Sequence, residues 1–347
     1  MKSFAYYSVE CPVCRSPINS VAPLSGETLC PFCGAVCHIT ANLTEKAEMP
    51  ERIAPFSTSF DEFRQTAMSM LVAEDYAPVN ISGLVPFEGA KGVYLPVYLY
   101  EGQYECTWSC KMKAEGESAG NRKEVYRPQN GVSKGGYTIT CMACDGVASA
   151  KELAEYVRSL DAMDVDIQSF HTDILHGRFF LTHNRNSQTS WKQWGEDTLS
   201  DLVGKKTQMQ MQSNEMKDFK CNLISETLPE SRLMFFPVWM IHFQYDGESH
   251  HIFMDGTGRN GIKGTTLIDH TLKATAEKPF KSLKYIAVAA IVIPVLMFMA
   301  GWPLPAIIAL IASALVFFGY RYYARWHKGR VIRKARKQRK KILFSNP

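Results

Sequence analysis

The stretch from Tyr285 to Tyr320 runs for 36 residues without a charged side chain, and nothing else in the sequence restricts the fold as tightly. As one helix it would be about 54 Å long at about 1.5 Å per residue, against a bilayer hydrocarbon core of about 30 Å. Two spans are therefore expected, reversing at Gly301-Trp302-Pro303-Leu304-Pro305, where a glycine and two prolines interrupt the helix and a tryptophan suits the interface. Each arm keeps about 18 residues, just enough to cross. Lys273, Lys278, Lys281 and Lys284 precede the first arm, Arg321, Arg325, Lys328 and Arg330 follow the second, and the turn carries no charge. The positive-inside rule then places both ends in the cytoplasm, for a multi-pass protein. The competing reading, a hairpin buried in a soluble core, must explain both the length of the uncharged run and its two basic flanks.

The 347 residues include 39 Lys and Arg against 34 Asp and Glu, a formal charge of +5. That excess belongs to the C-terminal tail. Eleven basic and no acidic residues follow Tyr320, leaving 28 basic against 34 acidic side chains over residues 1–320. So acidic a body argues against a general nucleic-acid binder, which would carry a basic domain. The tail residues Arg321, Arg325, Lys328, Arg330, Arg333, Lys334, Arg336 and Lys337 are expected to face anionic lipid, at about 1 kcal/mol each, or to act only as a topology signal. Met1 to Glu10 lacks the apolar run of a cleavable signal peptide, so the polar part is expected in the cytoplasm. In that compartment ten cysteines are metal ligands or free thiols rather than disulfides.

Cys11-Pro12-Val13-Cys14 and Cys30-Pro31-Phe32-Cys33-Gly34 stand 15 residues apart, the spacing of a four-cysteine zinc ribbon. Each pair forms a tight turn whose backbone amides point at the thiolates, and Gly34 supplies the conformational freedom the turn requires. Four thiolates close a tetrahedral site with no position for substrate or water, so the metal is structural. Iron in the same geometry is the chemical alternative. Cys37 and His38 follow at once and read as packing or surface residues. A second group, Cys106, Cys110, Cys141 and Cys144, would converge on another zinc if Thr138–Cys141 paired against Gln103–Cys106. Otherwise these are buried thiols or a redox pair, and Cys221 stands alone.

Between these landmarks, Ser59 and Glu62 make a capping box before an amphipathic helix bearing Phe60, Phe63, Ala67, Met70 and Leu71. Ser149 and Glu152 cap another, with Leu153, Tyr156, Val157 and Leu160 inward. Val93–Tyr100 is β-rich around Pro96, and Phe235–Ile241 repeats its pattern around Pro237. Each follows a helix, the later one over residues 187–212 with Trp191, Trp194, Thr198 and Leu202 on one face, which points to a degenerate internal duplication. Asp246-Gly247 predicts a type I′ hairpin turn. His242, His250 and His251 lie on that hairpin, but strand alternation parts His250 from His251, and His171, His176 and His183 form no better ligand set. No nucleotide-binding loop, nucleophile elbow or paired His-Glu metalloprotease motif occurs.

The order of these features, a CPVC and CPFCG ribbon, then GVYLPVYLY, then FFPVWMIHFQYDGESHHIFMDGTGRNGIKG, then an apolar hairpin, resembles a family of bacterial membrane-anchored zinc-ribbon proteins often labelled primosomal or replication helicase-like. The resemblance covers most of the chain. Its most specific part corresponds to Pro237, Trp239, Tyr245-Asp246-Gly247, Gly256 and Gly258. It implies a bacterial inner-membrane location, and because genes of the family tend to lie near those for phage-shock-protein-A-like and flotillin or SPFH-type membrane proteins, it implies recruitment or scaffolding of such partners. Cys106, Cys110, Cys141 and Cys144 depart from the family pattern, and nothing supports a helicase.

The expected architecture is α+β: a zinc ribbon over 1–48, a mainly antiparallel soluble domain over 49–275, a transmembrane helical hairpin over 276–323 and a basic tail over 324–347. The favoured function is a non-enzymatic membrane adaptor. A membrane-tethered nucleic-acid-binding protein and a thiol or zinc redox sensor are the alternatives.

Overall fold

The structure, a computed structural model, describes residues 2–113, 126–148, 150–160, 165–211, 215–226 and 229–345. The chain is α+β, with a large antiparallel-rich sheet and two long apolar helices near its C-terminal end. It divides into two compact units: Met1–Phe63, Phe87–Phe243 and His251–Gly264 form the first, and Arg64–Pro86, Gln244–His250 and Thr265–Pro347 the second.

In the first unit, alternation buries Phe4, Tyr6 and Ser8 of β1 (Ser3–Glu10), which pairs antiparallel with β2 (Pro17–Ser20). β3 (Gly26–Leu29) and β4 (Val36–Ile39) form a separate two-stranded sheet, and β5 (Leu43–Glu48) returns along the other edge of β1. After β6 (Arg52–Ile53), helix α1 (Phe60–Ala73) opens on the expected capping box. The Ser59 N–H donates to Glu62 Oε2 at 2.6 Å and the Glu62 N–H donates to Ser59 Oγ at 3.2 Å. β7 (Lys91–Lys113) and β8 (Tyr126–Met142) then make a long hairpin. α2 (Ala150–Arg158) follows with Leu153, Tyr156 and Val157 buried as expected, while the Ser149 cap lies outside the described residues. β9 (Gln168–Ser169) and β10 (Phe179–Phe180) lead to α3 (Ser187–Ser190), a π-helical turn over Trp191–Gly195, and α4 (Glu196–Gln210). β11 (Met216–Glu226), β12 (Glu230–Tyr245), β13 (Glu248–Asp255) and β14 (Ile262–Gly264) complete the sheet.

The two β-rich strings that resemble each other in sequence are neighbours in space. β7 and β12 pair antiparallel with Pro96 opposite Phe235, Leu95 opposite Phe236 and Tyr94 opposite Pro237, an arrangement symmetric about the Leu95–Phe236 pair. Their surroundings match as well. Pro96 O accepts the Ala143 N–H at 2.9 Å and Pro237 O accepts that of Gly256 at 2.8 Å; Tyr94 O accepts from Leu181 at 3.0 Å and Phe235 O from Ala54 at 2.9 Å. β10 runs parallel to β7 at Val93 and Tyr94, as β6 runs parallel to β12 at Met234 and Phe235.

Two sequence expectations change here. The ribbon is not a separate domain, because β1, β2 and β5 belong to the large sheet through the pairing of Asn19 with Phe180, and Cys11, Cys30 and Phe32 share one core with Val93, Leu153 and Met240. The helix over 187–210 also buries a different face. Trp191, Leu199, Val203 and Thr207 are inside, whereas Trp194, Thr198 and Leu202 are only half-buried, because the π turn inserts a residue and rotates the helix. A side chain on Gly195 would meet the Trp191 ring at 2.2 Å, so the turn is closed by that ring.

In the second unit, α5 (His270–Met299) starts at Asp269, whose carboxylate accepts the N–H groups of Thr271 and Leu272, each at 2.9 Å. The chain reverses at Gly301, with φ 82°, and α6 (Pro303–Ser345) follows. Both helices are long and apolar enough to cross a membrane, and only 6% of the apolar window of each is buried, unlike the core helix of a soluble protein. α6 continues unbroken for 43 residues, so the hairpin and the basic tail are one element. Its later part is buried at Ala324, Ile332, Ala335 and Arg339, a helical stripe, and docks on the segment after α1. Arg339 Nη1 donates to Glu74 O at 2.8 Å and Ala77 O at 3.1 Å, Arg336 pairs with Asp75 at 3.0 Å, and the Lys328 ammonium lies over the Tyr76 ring.

Candidate metal centre

The two cysteine pairs sit on matching turns. After Cys11 the chain bends so that Arg15 N–H donates to Cys11 O at 2.9 Å and Cys11 N–H to Ser16 O at 3.1 Å; after Cys30, Gly34 donates to Cys30 O at 2.9 Å and Cys30 to Ala35 O at 2.8 Å. Arg15 and Gly34 take equivalent left-handed conformations, φ 60° and 75°. Gly34 has a second reason to lack a side chain, because a Cβ there would stand 2.8 Å from the His242 carbonyl oxygen on β12. The second turn therefore seats directly on the large sheet.

The turns bring Cys11, Cys14, Cys30 and Cys33 together, with all four sulfurs within 4.8 Å of one another. Cys11 Sγ lies 3.7 Å from Cys33 Sγ and Cys14 Sγ 3.7 Å from Cys30 Sγ. A tetrahedral ion with metal–sulfur bonds of about 2.3 Å requires sulfurs about 3.8 Å apart, so the cage has the dimensions to bind one metal ion. Burial raises the thiols of Cys30 and Cys33, the latter to about 11. At Cys11 burial acts the same way but is outweighed by the backbone N–H groups of Cys14 and Val13 and by the thiols of Cys14 and Cys30, which pull it down to about 6. A cation in the cage would displace the protons that the thiols hold.

Two neighbours support the ligands. Ser16, fully buried, takes a hydrogen bond from Cys14 Sγ at 3.3 Å and another from the Ala148 N–H at 2.9 Å, tying the first turn to the approach to α2. The ligand spacing carries no signal for Ser16. Cys37 is buried beside Cys11, and its thiol is pushed up to about 12 by burial and then by Cys11, so it stays protonated next to the cage. His38 is exposed and pairs with Glu27 at 3.0 Å.

The second cysteine group does not converge. Register places Cys106 opposite Ser133, Cys110 opposite Gln129 and Cys141 opposite Tyr98. Tyr98 and Cys106 are eight positions apart on β7, about 26 Å at about 3.3 Å per residue, far beyond any shared metal. Cys106 lies under α4 with Thr207 Oγ1 at 3.5 Å and Cys221 beside it, so Cys221 is not isolated. Cys141 and Cys144 are core thiols whose burial raises both, Cys141 to about 12. The His242 ring lies tilted against His251 while His250 meets Tyr245 edge-on, and among the described residues these imidazoles join no metal-sized group.

Of the basic tail, Arg321, Arg325, Arg330, Arg333, Lys334 and Lys337 are exposed. Lys328 and Arg336 instead engage Tyr76 and Asp75, and Arg339 is fully buried. No protein-family model matches the chain, nor does any curated protein or solved structure.

Proposed function

We propose that this protein is a non-enzymatic, membrane-anchored adaptor. The apolar hairpin of α5 and α6 anchors it in the inner membrane with both termini cytoplasmic, one zinc ion closes the four-cysteine cage, and the α+β unit presents a surface to cytoplasmic or membrane-associated proteins. A single observation carries the anchor: two apolar helices, solvent-exposed along nearly their whole apolar length, joined by an uncharged turn and bounded outside it by lysines and arginines. Zinc is the ion of choice because four thiolates suit a redox-inert tetrahedral cation and leave no open coordination position. The exposed Arg330, Arg333, Lys334 and Lys337 of α6 lie on the side away from its docked stripe, where anionic headgroups can reach them. A phage-shock-protein-A-like or SPFH-type protein is the partner class that the family resemblance implies.

The full chain, purified in detergent, is expected to carry one zinc per chain and to lose it in Cys30→Ser. Crosslinking in native membranes followed by affinity purification is expected to recover a defined partner that a variant retaining only residues 265–347 does not. A metal-free cage in the folded protein contradicts the zinc assignment, and identical recovery by the helices alone contradicts the adaptor role.

A further inference from the structure

A cleft of about 510 Å³ opens in the first unit between α2, α4, β8 and β14, more than 100 residues in sequence from the cysteine cage. Its walls carry Arg158, Lys205, Lys206 and Lys263 against Glu155 and Asp201, over an apolar floor that includes Ile139 and Leu202. None of the four cations has a carboxylate partner within 4.0 Å among the described residues. Two of the cations are held in place. Arg158 Nε donates to Thr198 Oγ1 at 2.7 Å while its guanidinium lies over the Trp194 ring, and Lys206 Nζ donates to Gly136 O at 3.0 Å. Thr198 is fixed in turn by its own bond to Trp194 O at 2.6 Å. The terminal nitrogens of Arg158 make no hydrogen bond among the described residues, which leaves its fork free for a tetrahedral anion.

We propose that this cleft binds a small phosphate ester bearing hydroxyl groups, of about nucleotide or sugar-phosphate size. The net positive lining selects the phosphate. Glu155 and Asp201 accept hydrogen bonds from the ligand's hydroxyls, and the apolar floor receives its carbon skeleton. The volume lies within the range of small-molecule sites. An adaptor carrying it would be responsive to metabolite level.

Calorimetric titration of the full-length protein in nanodiscs would use ADP, glucose 6-phosphate, inorganic phosphate and sodium sulfate at matched ionic strength. Saturable binding is expected for ADP or glucose 6-phosphate, at least tenfold tighter than for sulfate. The two esters separate a nucleotide site from a sugar-phosphate site. Arg158→Gln and Lys206→Gln are each expected to weaken it at least tenfold, and the exposed Lys263→Gln, which carries no packing role, at least threefold. Arg333→Gln on α6 leaves affinity unchanged. Absence of saturable ester binding, equal affinity for sulfate, or affinities indifferent to Arg158, Lys206 and Lys263 would each overturn the proposal. Partner recovery in native membranes is a separate readout, so the cleft and the adaptor role fail independently.

Discussion

Arg15 and Gly34 hold the same place in two equivalent turns, yet only one is the residue that a left-handed backbone favours. A non-glycine residue in that conformation is strained by about 1 kcal/mol. Arg15→Gly is therefore expected to raise the denaturation midpoint by a few degrees. Gly34→Ala adds the same strain and drives a methyl group into the His242 carbonyl, so a loss of about 2–3 kcal/mol is expected, read by chemical denaturation. His242 gives a pH signature. Burial, then the nearby His251, lowers its pKa to about 4. The folded imidazole thus stays neutral down to pH 5 while the unfolded chain, titrating near 6.5, takes up a proton. Stability is present above about pH 6.5 and declines as pH falls from there toward 4, by about 2 kcal/mol between pH 7 and pH 5. His242→Gln should flatten this part of the stability profile; an unchanged slope would assign it to protonation of the cage. At this scale the sequence was legible where ligand spacing is local, as in the four cage cysteines, and for Cys37 as a packing residue; it was illegible for Ser16, whose bond to the Ala148 N–H exists only in the fold.

Among the elements, the capping box at Ser59, the Asp246-Gly247 turn with φ 52° and 78°, and the reversal at Gly301 all lie where local chemistry placed them. Long-range register did not. The β7–β8 ladder runs continuously from Val97 opposite Met142 to Lys113 opposite Tyr126, and this carries Cys141 far from Cys106. A hairpin whose connection lacks a short turn signal leaves its register open in sequence, and one residue of slip changes every pair. The buried face of α4 differs from the sequence expectation for a related reason, since a π turn shifts the phase of every later residue. The docked end of α6 has no sequence signal, because Arg339 looks like one more tail cation. Inside, it serves as a C-terminal cap for the segment after α1, and two of its nitrogens have no partner among the described residues. Arg339→Ala is expected to cost about 2 kcal/mol of local stability by removing charge-assisted bonds to Glu74 and Ala77. Hydrogen exchange over residues 74–84 should accelerate accordingly, while exchange in the β7–β12 ladder stays unchanged. Equal protection in the variant would mean that the docking contributes nothing.

For the whole molecule, two long-range features follow from chain economy. The paired prolines of β7 and β12, with matching acceptors and matching short parallel strands, place the two stretches of similar sequence face to face about one local axis. The cysteine cage grows out of the same sheet, so loss of its metal is expected to loosen β1, β2 and β5 together rather than a detached module. The apolar helices place strict demands on their surroundings. Ile291, Leu296, Phe298, Ile308, Leu315 and Phe318 are all exposed, a surface that water does not tolerate at this length. The most direct test is topological. Right-side-out vesicles or spheroplasts carrying the full chain with an epitope at each terminus are treated with protease before and after permeabilisation. Both epitopes and the α+β unit are expected to survive until the membrane is opened, and the chain to resist alkaline extraction. Release of the chain by alkali, or cleavage of either epitope in sealed spheroplasts, would contradict an anchored hairpin with both ends inside.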